Sequence, residues 1–201
     1  MGSQQTAEPA PPAILRADAQ RNRERILAAA RELMAAHGAA VEMTDIAEAA
    51  GVGVGTLYRR FPDKEGLILE LLREKFQELA AALERELARE DATARERLHG
   101  YIRAACAIQG ADRGLQEAFS SAIDEHSGIA YSTPGLVEST RRLAAEAVAE
   151  GAVRPDLQWE DIVSCCCALG HVIQHEDSLP GSWQKLLQIQ LDGLDRRAAS
   201  G

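Results

Sequence analysis

The sequence predicts an all-α fold: an N-terminal three-helix helix-turn-helix domain followed by a larger C-terminal helical domain. Three observations carry this. Alanine and leucine dominate a chain of 201 residues in which aromatic residues make up only 4%. Apolar residues recur at spacings of three and four, the period of a buried helical stripe, and no segment alternates as a strand does. The run from Thr44 to Lys64, TDIAEAAGVGVGTLYRRFPDK, reads as two short helices around a glycine turn.

Residues 1–15, rich in Ala, Pro and Gln, are expected to form a disordered tail. A first helix is predicted from about Ala17 to His37, with Ile26, Leu27, Ala30, Leu33 and Met34 as its apolar stripe and Gly38 closing it. Thr44 suits an N-cap, with Asp45 in the first turn. Ile46, Ala47 and Ala50 share one face, and Gly51 tolerates the left-handed conformation that ends a short helix. Val52 plugs the gap between the two helices. The second short helix runs from Gly53 or Val54 to Arg60, buries Leu57 and Phe61, and stops at Pro62. These elements make residues 16–66 one unit, and residues 67–201 form the body.

Asp63 is the expected cap of a long helix reaching about Glu90. Its stripe is Leu67, Leu71, Leu72, Phe76, Leu79, Leu83 and Leu87. A helix from about Thr93 to Gly110 buries Leu98, Ile102, Ala105, Cys106 and Gln109. The span 111–133 is broken by glycines and carries a helix near Leu115 to Glu125. Helices from Leu136 to Glu150, Gln158 to His175 and Ser182 to Arg196 complete the chain.

Hydrophobic residues at 46% suffice for a core. The net charge of −9 opposes nucleic-acid binding only until its distribution is read. Residues 14–75 carry ten basic and ten acidic side chains, and residues 76–201 hold twelve basic against twenty acidic. Arg16, Arg21, Arg23, Arg25 and Arg31 face only two local acids, so an acidic body carries a locally basic edge. Four cysteines, three of them consecutive (Cys165, Cys166 and Cys167), do not make a secreted disulfide framework. No apolar run has membrane-spanning length. A reducing cytoplasm is the expected location, with no membrane partner.

The second short helix displays Thr56, Tyr58, Arg59 and Arg60. Hydroxyls and backbone amides bind phosphates, and arginine binds guanine edges. Gly53 and Gly55 let the backbone approach a duplex closely, and Val54 suits a thymine methyl. Spacing alone also allows an ordinary αα-hairpin with solvated arginines. Cys167, His171 and His175 are spaced like metal ligands on one helical face, but no fourth ligand accompanies them. No nucleophile–base pair or phosphate loop stands out, so neither catalysis nor a cofactor nor a metal is expected.

The run Arg25 to Leu67 resembles the DNA-binding domain of the TetR family of transcriptional regulators. The carrying residues are Ile26-Leu27-Ala28-Ala29-Ala30, Gly38, Thr44-Asp45-Ile46-Ala47, Gly51-Val52, Gly55-Thr56-Leu57-Tyr58, Phe61-Pro62 and Lys64-Glu65. The segment Glu150 to Asp156 resembles a link common in the same family. The resemblance implies a ligand-responsive regulator, a repressor binding a palindromic operator as a homodimer and released by a small-molecule effector. Thr44, Tyr58 and Lys64 would hold phosphates, with Arg60 beside them. Thr56 and Arg59 would contact base edges or nearby phosphates. Gly53 and Val54 depart from the family, where a serine and a polar residue are common, and this puts one phosphate contact in doubt.

The resemblance also gives the body two tasks, effector binding and dimerisation. Candidate effector-lining residues are Phe76, Leu79, Ile102, Cys106, Gln109, Phe119, Ile123, His126, Leu143, Trp159 and Cys166. Candidate interface residues are Val163, Cys167, Gly170 and Gln174 on one helix, and Trp183, Leu187, Gln190, Leu191 and Leu194 on the last. The implied partners are a double-stranded DNA operator, a second copy of the chain and an unidentified small molecule.

Overall fold

The computed structural model describes residues 13–111, 115 and 133–195. Among these it contains eight α-helices: α1 (Ala13–His37), α2 (Met43–Ala49), α3 (Val54–Arg60), α4 (Lys64–Leu87), α5 (Ala94–Ala111), α6 (Leu136–Ala149), α7 (Trp159–Gln174) and α8 (Ser182–Leu194). The all-α expectation holds. The one β feature among the described residues is an isolated antiparallel bridge between Val153 and Asp195. The helix expected at Leu115 to Glu125 lies outside the described residues apart from Leu115.

Two cores organise these helices. The head core joins Ile26, Leu27, Ala30 and Met34 of α1 to Ile46 and Ala47 of α2. Leu57 of α3, Phe61, and Leu67, Leu71 and Leu72 of α4 complete it. The body core gathers Leu83 and Leu87 of α4, Leu98 and Ile102 of α5, and Leu143 and Ala147 of α6. Ile162 and Leu169 of α7 and Leu191 and Leu194 of α8 close it. Each of the leucine, isoleucine, methionine and phenylalanine side chains among them contributes roughly 1.5–3 kcal/mol of transfer free energy when fully buried. Phe76 packs against both cores, so α4 is mechanically common to head and body. Leu115, following α5, is fully buried in the head core.

Local chemistry sets the helix ends. Asp63 accepts the Gly66 amide at 2.8 Å, the cap expected for α4. Thr93 and Glu96 exchange hydrogen bonds at the start of α5 as a capping box. Gln158 and Asp161 do the same for α7. Two starts differ from expectation. Helix α1 begins four residues before Ala17, at Ala13. Helix α2 begins at Met43, so Thr44 lies inside the first turn and the extended Glu42 is the N-cap. The cause is Met43, whose burial in the head core draws it into the helix.

Arg23 pairs with Glu70 and Glu74, and Arg31 with Glu74 and Glu78. These partly buried pairs clamp α1 to α4. The basic edge read from α1 is therefore smaller than its arginine count, and Arg23 is turned inward to a structural task.

Candidate nucleic-acid interface

The helix-turn-helix is closed by backbone bonds that only a particular residue order permits. Gly51 adopts φ +61°. Its N–H donates to the Glu48 carbonyl at 2.9 Å, and the Val52 N–H donates to the Ala47 carbonyl at 3.0 Å. This is the Schellman pattern, with Val52 packed back onto the head core. Arg25 donates from Nη2 to the Gly51 carbonyl at 3.2 Å, bringing a cation to the end of α2, where the helix dipole favours one.

Gly53 is the extended N-cap of α3, and its carbonyl receives the Thr56 and Leu57 amides at 2.8 and 3.1 Å. Leu57, fully buried, pins the inner side of α3. The opposite side points outward. Val54 is 42% and Tyr58 44% exposed, one helical turn apart, among the few large apolar side chains left in solvent. Gly55 lies between them, and a Cβ there would meet nothing within 4 Å. Arg59 and Arg60 are exposed in the last turn, with the Arg60 guanidinium 5.8 Å from the Phe61 ring centroid. Thr56 and Lys64 are half-buried, and Thr44 is exposed. The nine residues singled out for DNA thus fall at the start of α2, at the N-cap and six positions of α3, and at the start of α4.

The body residues separate into inner and outer groups. Ile102, Cys106 and Leu143 are buried, while Phe76, Leu79, Trp159 and Cys166 border the same core. Burial pushes the Cys106 thiol up to about 11 and the Cys166 thiol higher still. Gln109 is buried, and its Nε2 donates to the Cys166 carbonyl at 2.9 Å. Trp159 is half-covered by the Arg141 guanidinium, 5.1 Å from its ring centroid. Phe119, Ile123 and His126 lie outside the described residues. An open groove of about 660 Å³ lies elsewhere, between Leu87, Arg97, Arg142, Glu146 and Glu150, and none of the expected effector residues lines it.

Three of the residues expected at the interface lie inside the chain's own body. Gly170, Leu191 and Leu194 are buried within their own chain. Gly170 faces Gln109 of α5, whose amide fills the notch left by the missing side chain. Leu191 and Leu194 close the body core. Val163 and Cys167 do face outward, and Gln174, Trp183, Leu187 and Gln190 are half-buried. Ile189 and Leu179, each 58% exposed, join Val163 as the outer apolar residues of this end, and sequence spacing had singled out neither. His171 and His175 meet edge to face at 5.1 Å. Among the described residues no three His, Cys, Asp or Glu side chains converge as a metal site, and no helix is long and apolar enough to cross a membrane.

Lys75 was not anticipated. It is 5% exposed on the buried stripe of α4, and the available signal was its spacing: it falls four residues after Leu71 and four before Leu79.

A three-helix head whose third helix is exposed, joined by one long helix to an all-α body, defines a DNA-binding transcriptional regulator of the helix-turn-helix class. Residues 26–71 match the bacterial regulatory proteins of the tetR family, and residues 93–196 match the C-terminal domain of SbtR-like transcriptional regulators. The chain belongs to the TetR family. It is 40% identical over 73 residues to the HTH-type transcriptional repressor KstR of Mycolicibacterium smegmatis, a match covering 35% of this chain and 36% of that protein. The chain thus spans about a third of that curated relative. A TetR transcriptional regulator of Streptomyces coelicolor superposes with TM-score 0.65 and 27% identity, covering 88% of this chain and 99% of the other. A TetR regulatory protein of Mycobacterium vanbaalenii gives 0.60 and 28%, covering 90% and 99%. The fatty acid degradation regulator FadR of Bacillus halodurans shares the fold, with TM-score 0.67 at 20% identity over 92% and 95%.

Proposed function

We propose that the protein is a homodimeric repressor that binds a palindromic operator and leaves it when a small molecule occupies the body. The observation that carries this is α3. It is fixed from beneath by Leu57 and presents Val54, Gly55, Tyr58, Arg59 and Arg60 to solvent beside Thr44. A helix of seven residues reads too little sequence alone, so two copies acting on an inverted repeat supply the affinity.

In this account Thr44, Tyr58 and Lys64 hold phosphates, with Arg60 stacked on Phe61 beside them. Thr56 and Arg59 reach base edges. Gly53 and Gly55 let the backbone close on the duplex, and Val54 meets a thymine methyl. The second copy docks on the outer faces of α7 and α8 through Val163, Cys167 and Ile189, with Trp183, Leu187, Gln174 and Gln190 at the margin. Effector binding among Phe76, Leu79, Ile102, Cys106, Gln109, Leu143 and Cys166, with Phe119, Ile123, His126 and Trp159 completing the set, shifts α4. Because Phe76 packs in both cores and Leu115 enters the head core, that shift reaches the head and changes the separation of the two α3 helices. The protein acts in the cytoplasm and catalyses no reaction.

The experiment is selection of bound sequences from random duplexes by the purified chain. An enriched inverted repeat with half-site centres about one helical turn or more apart is the expected result. Enrichment of nothing, even at low salt, would remove DNA recognition from the account.

A further inference from the structure

Helix α7 carries a stripe of outward residues four apart: Val163, Cys167, His171 and His175. All four are exposed, while Ile162, Leu169 and Ile173 hold the opposite side in the body core. His171 lies in the last turn of α7, and His175 is its C-cap residue. Residues four apart stand about 6 Å apart along a helix axis and about 40° apart around it, so neighbours on such a stripe meet and residues eight apart do not.

The two imidazoles do meet, with ring centroids 5.1 Å apart and planes at 76°. Imidazole is the commonest metal ligand among side chains, and this separation suits a shared ion. A metal about 2.1 Å from one nitrogen of each ring lies about 3.2 Å from each centroid, and at a tetrahedral angle two such centroids stand about 5.2 Å apart. The χ2 torsion of histidine is broad, so exposed rings turn their nitrogens toward a common point with little strain. Cys167 is the other neighbour of His171, but it lies eight residues from His175 and cannot join the same ion. Among the described residues no three His, Cys, Asp or Glu converge, so the pair makes an open site whose other positions are left to water. The want of a fourth ligand excludes a closed structural site, not an open one. Calcium and magnesium, which want oxygen donors, do not suit it, whereas nickel, copper and zinc do.

We infer that His171 and His175 chelate one divalent transition-metal ion of the nickel, copper and zinc class. The ion ties the last turn of α7 to its C-cap residue, on either side of Ile173, which α7 buries in the body core. The pair is separate from the residues proposed for DNA and for the effector, and the inference does not depend on either.

The test is calorimetric titration of the reduced, tag-free full chain with Ni²⁺ and with Zn²⁺, in excess Mg²⁺ to occupy non-specific sites on the acidic body. One ion per chain should bind. The thermal unfolding midpoint should rise with it, because the ion favours the folded helix. Of the five histidines, only His171 and His175 should show ring resonances shifted by Zn²⁺. His171→Ala and His175→Ala should each weaken binding about tenfold or more, since losing even a hydrogen-bond partner of a ligand costs that much. Cys167→Ser should leave binding unchanged. No binding in excess Mg²⁺, or binding that both alanine variants retain, would overturn the inference. So would binding lost with Cys167→Ser and kept with His175→Ala, which would place the ion one turn earlier. The ring resonances are read on the unaltered chain, so they decide the question even if a variant folds poorly.

Discussion

The Arg25 guanidinium holds the Gly51 carbonyl: Nη2 of one lies 3.2 Å from the oxygen of the other. The contact ties α1 to the turn that sets the angle between α2 and α3. Gly51 is left-handed at φ +61°, and a Cβ there would also press on the same guanidinium. Gly51→Ala should therefore cost about 1–2 kcal/mol from the backbone alone, with crowding added. Arg25→Ala should cost about 1 kcal/mol, the worth of one hydrogen bond with a charged donor in a solvated setting. Urea unfolding measures both. Operator affinity should fall in each variant, because the recognition helix loses its fixed angle.

A second close approach lies in the body, where the Gln109 amide occupies the notch of Gly170. Gly170→Ala should destabilise by roughly 1–3 kcal/mol, the usual cost of overpacking. Trimming the partner makes room, so Gln109→Ala in the same chain should recover part of the loss. A double-mutant cycle should give a coupling above about 0.5 kcal/mol. Independent, additive losses would mean the two residues do not share one space.

Val54 tests how the recognition helix reads its site. Replacing thymine by deoxyuridine, one position at a time in the selected operator, removes single methyl groups. One replacement should weaken binding about fourfold, since a buried methyl is worth about 0.8 kcal/mol. With Val54→Ala the same replacement should lose its effect. Deoxyuridine tolerated at every position would remove Val54 from base contact.

Acid should loosen the far end of the body. Asp195 is paired with Arg95, and His99 Nε2 lies 3.0 Å from Asp195 Oδ1. Hydrogen bonding from Arg95 holds the Asp195 carboxyl below its ordinary 3.8. Burial holds His99 below 6.5, outweighing the nearby carboxylate. Both groups bind protons more weakly folded than unfolded, so their contribution is complete above the unfolded values and is lost as pH falls. The urea midpoint should drop from about pH 7 to pH 5 as unfolded chains take up the histidine proton. His99→Gln should flatten that interval, and Asp195→Asn should flatten the more acidic limb.

What the sequence made legible follows from what is local. The cap at Asp63 and the turn at Gly51 are decided by residues within a few positions of one another, and both stand as expected. Leu57 and Phe61 are inside for the same reason, since a seven-residue helix has only one side to bury. Three-dimensional partnership was not legible. Arg23 reads as part of a basic edge, yet Glu70 and Glu74 across α4 claim it. Gly170, Leu191 and Leu194 read as interface because an apolar stripe looks the same whether its own chain or a second copy covers it. Lys75 is buried although its type reads as a solvated charge, because the leucines on either side carry it into the stripe.

The most direct test of the central claim is the stoichiometry of the complex, measured by sedimentation of the chain with its selected duplex and with a duplex cut to one half-site. Two chains on the full inverted repeat, and binding to the half-site weaker by about a hundredfold or more, are expected. One chain per duplex with equal affinity for both would contradict the account and leave α3 as a reader acting alone.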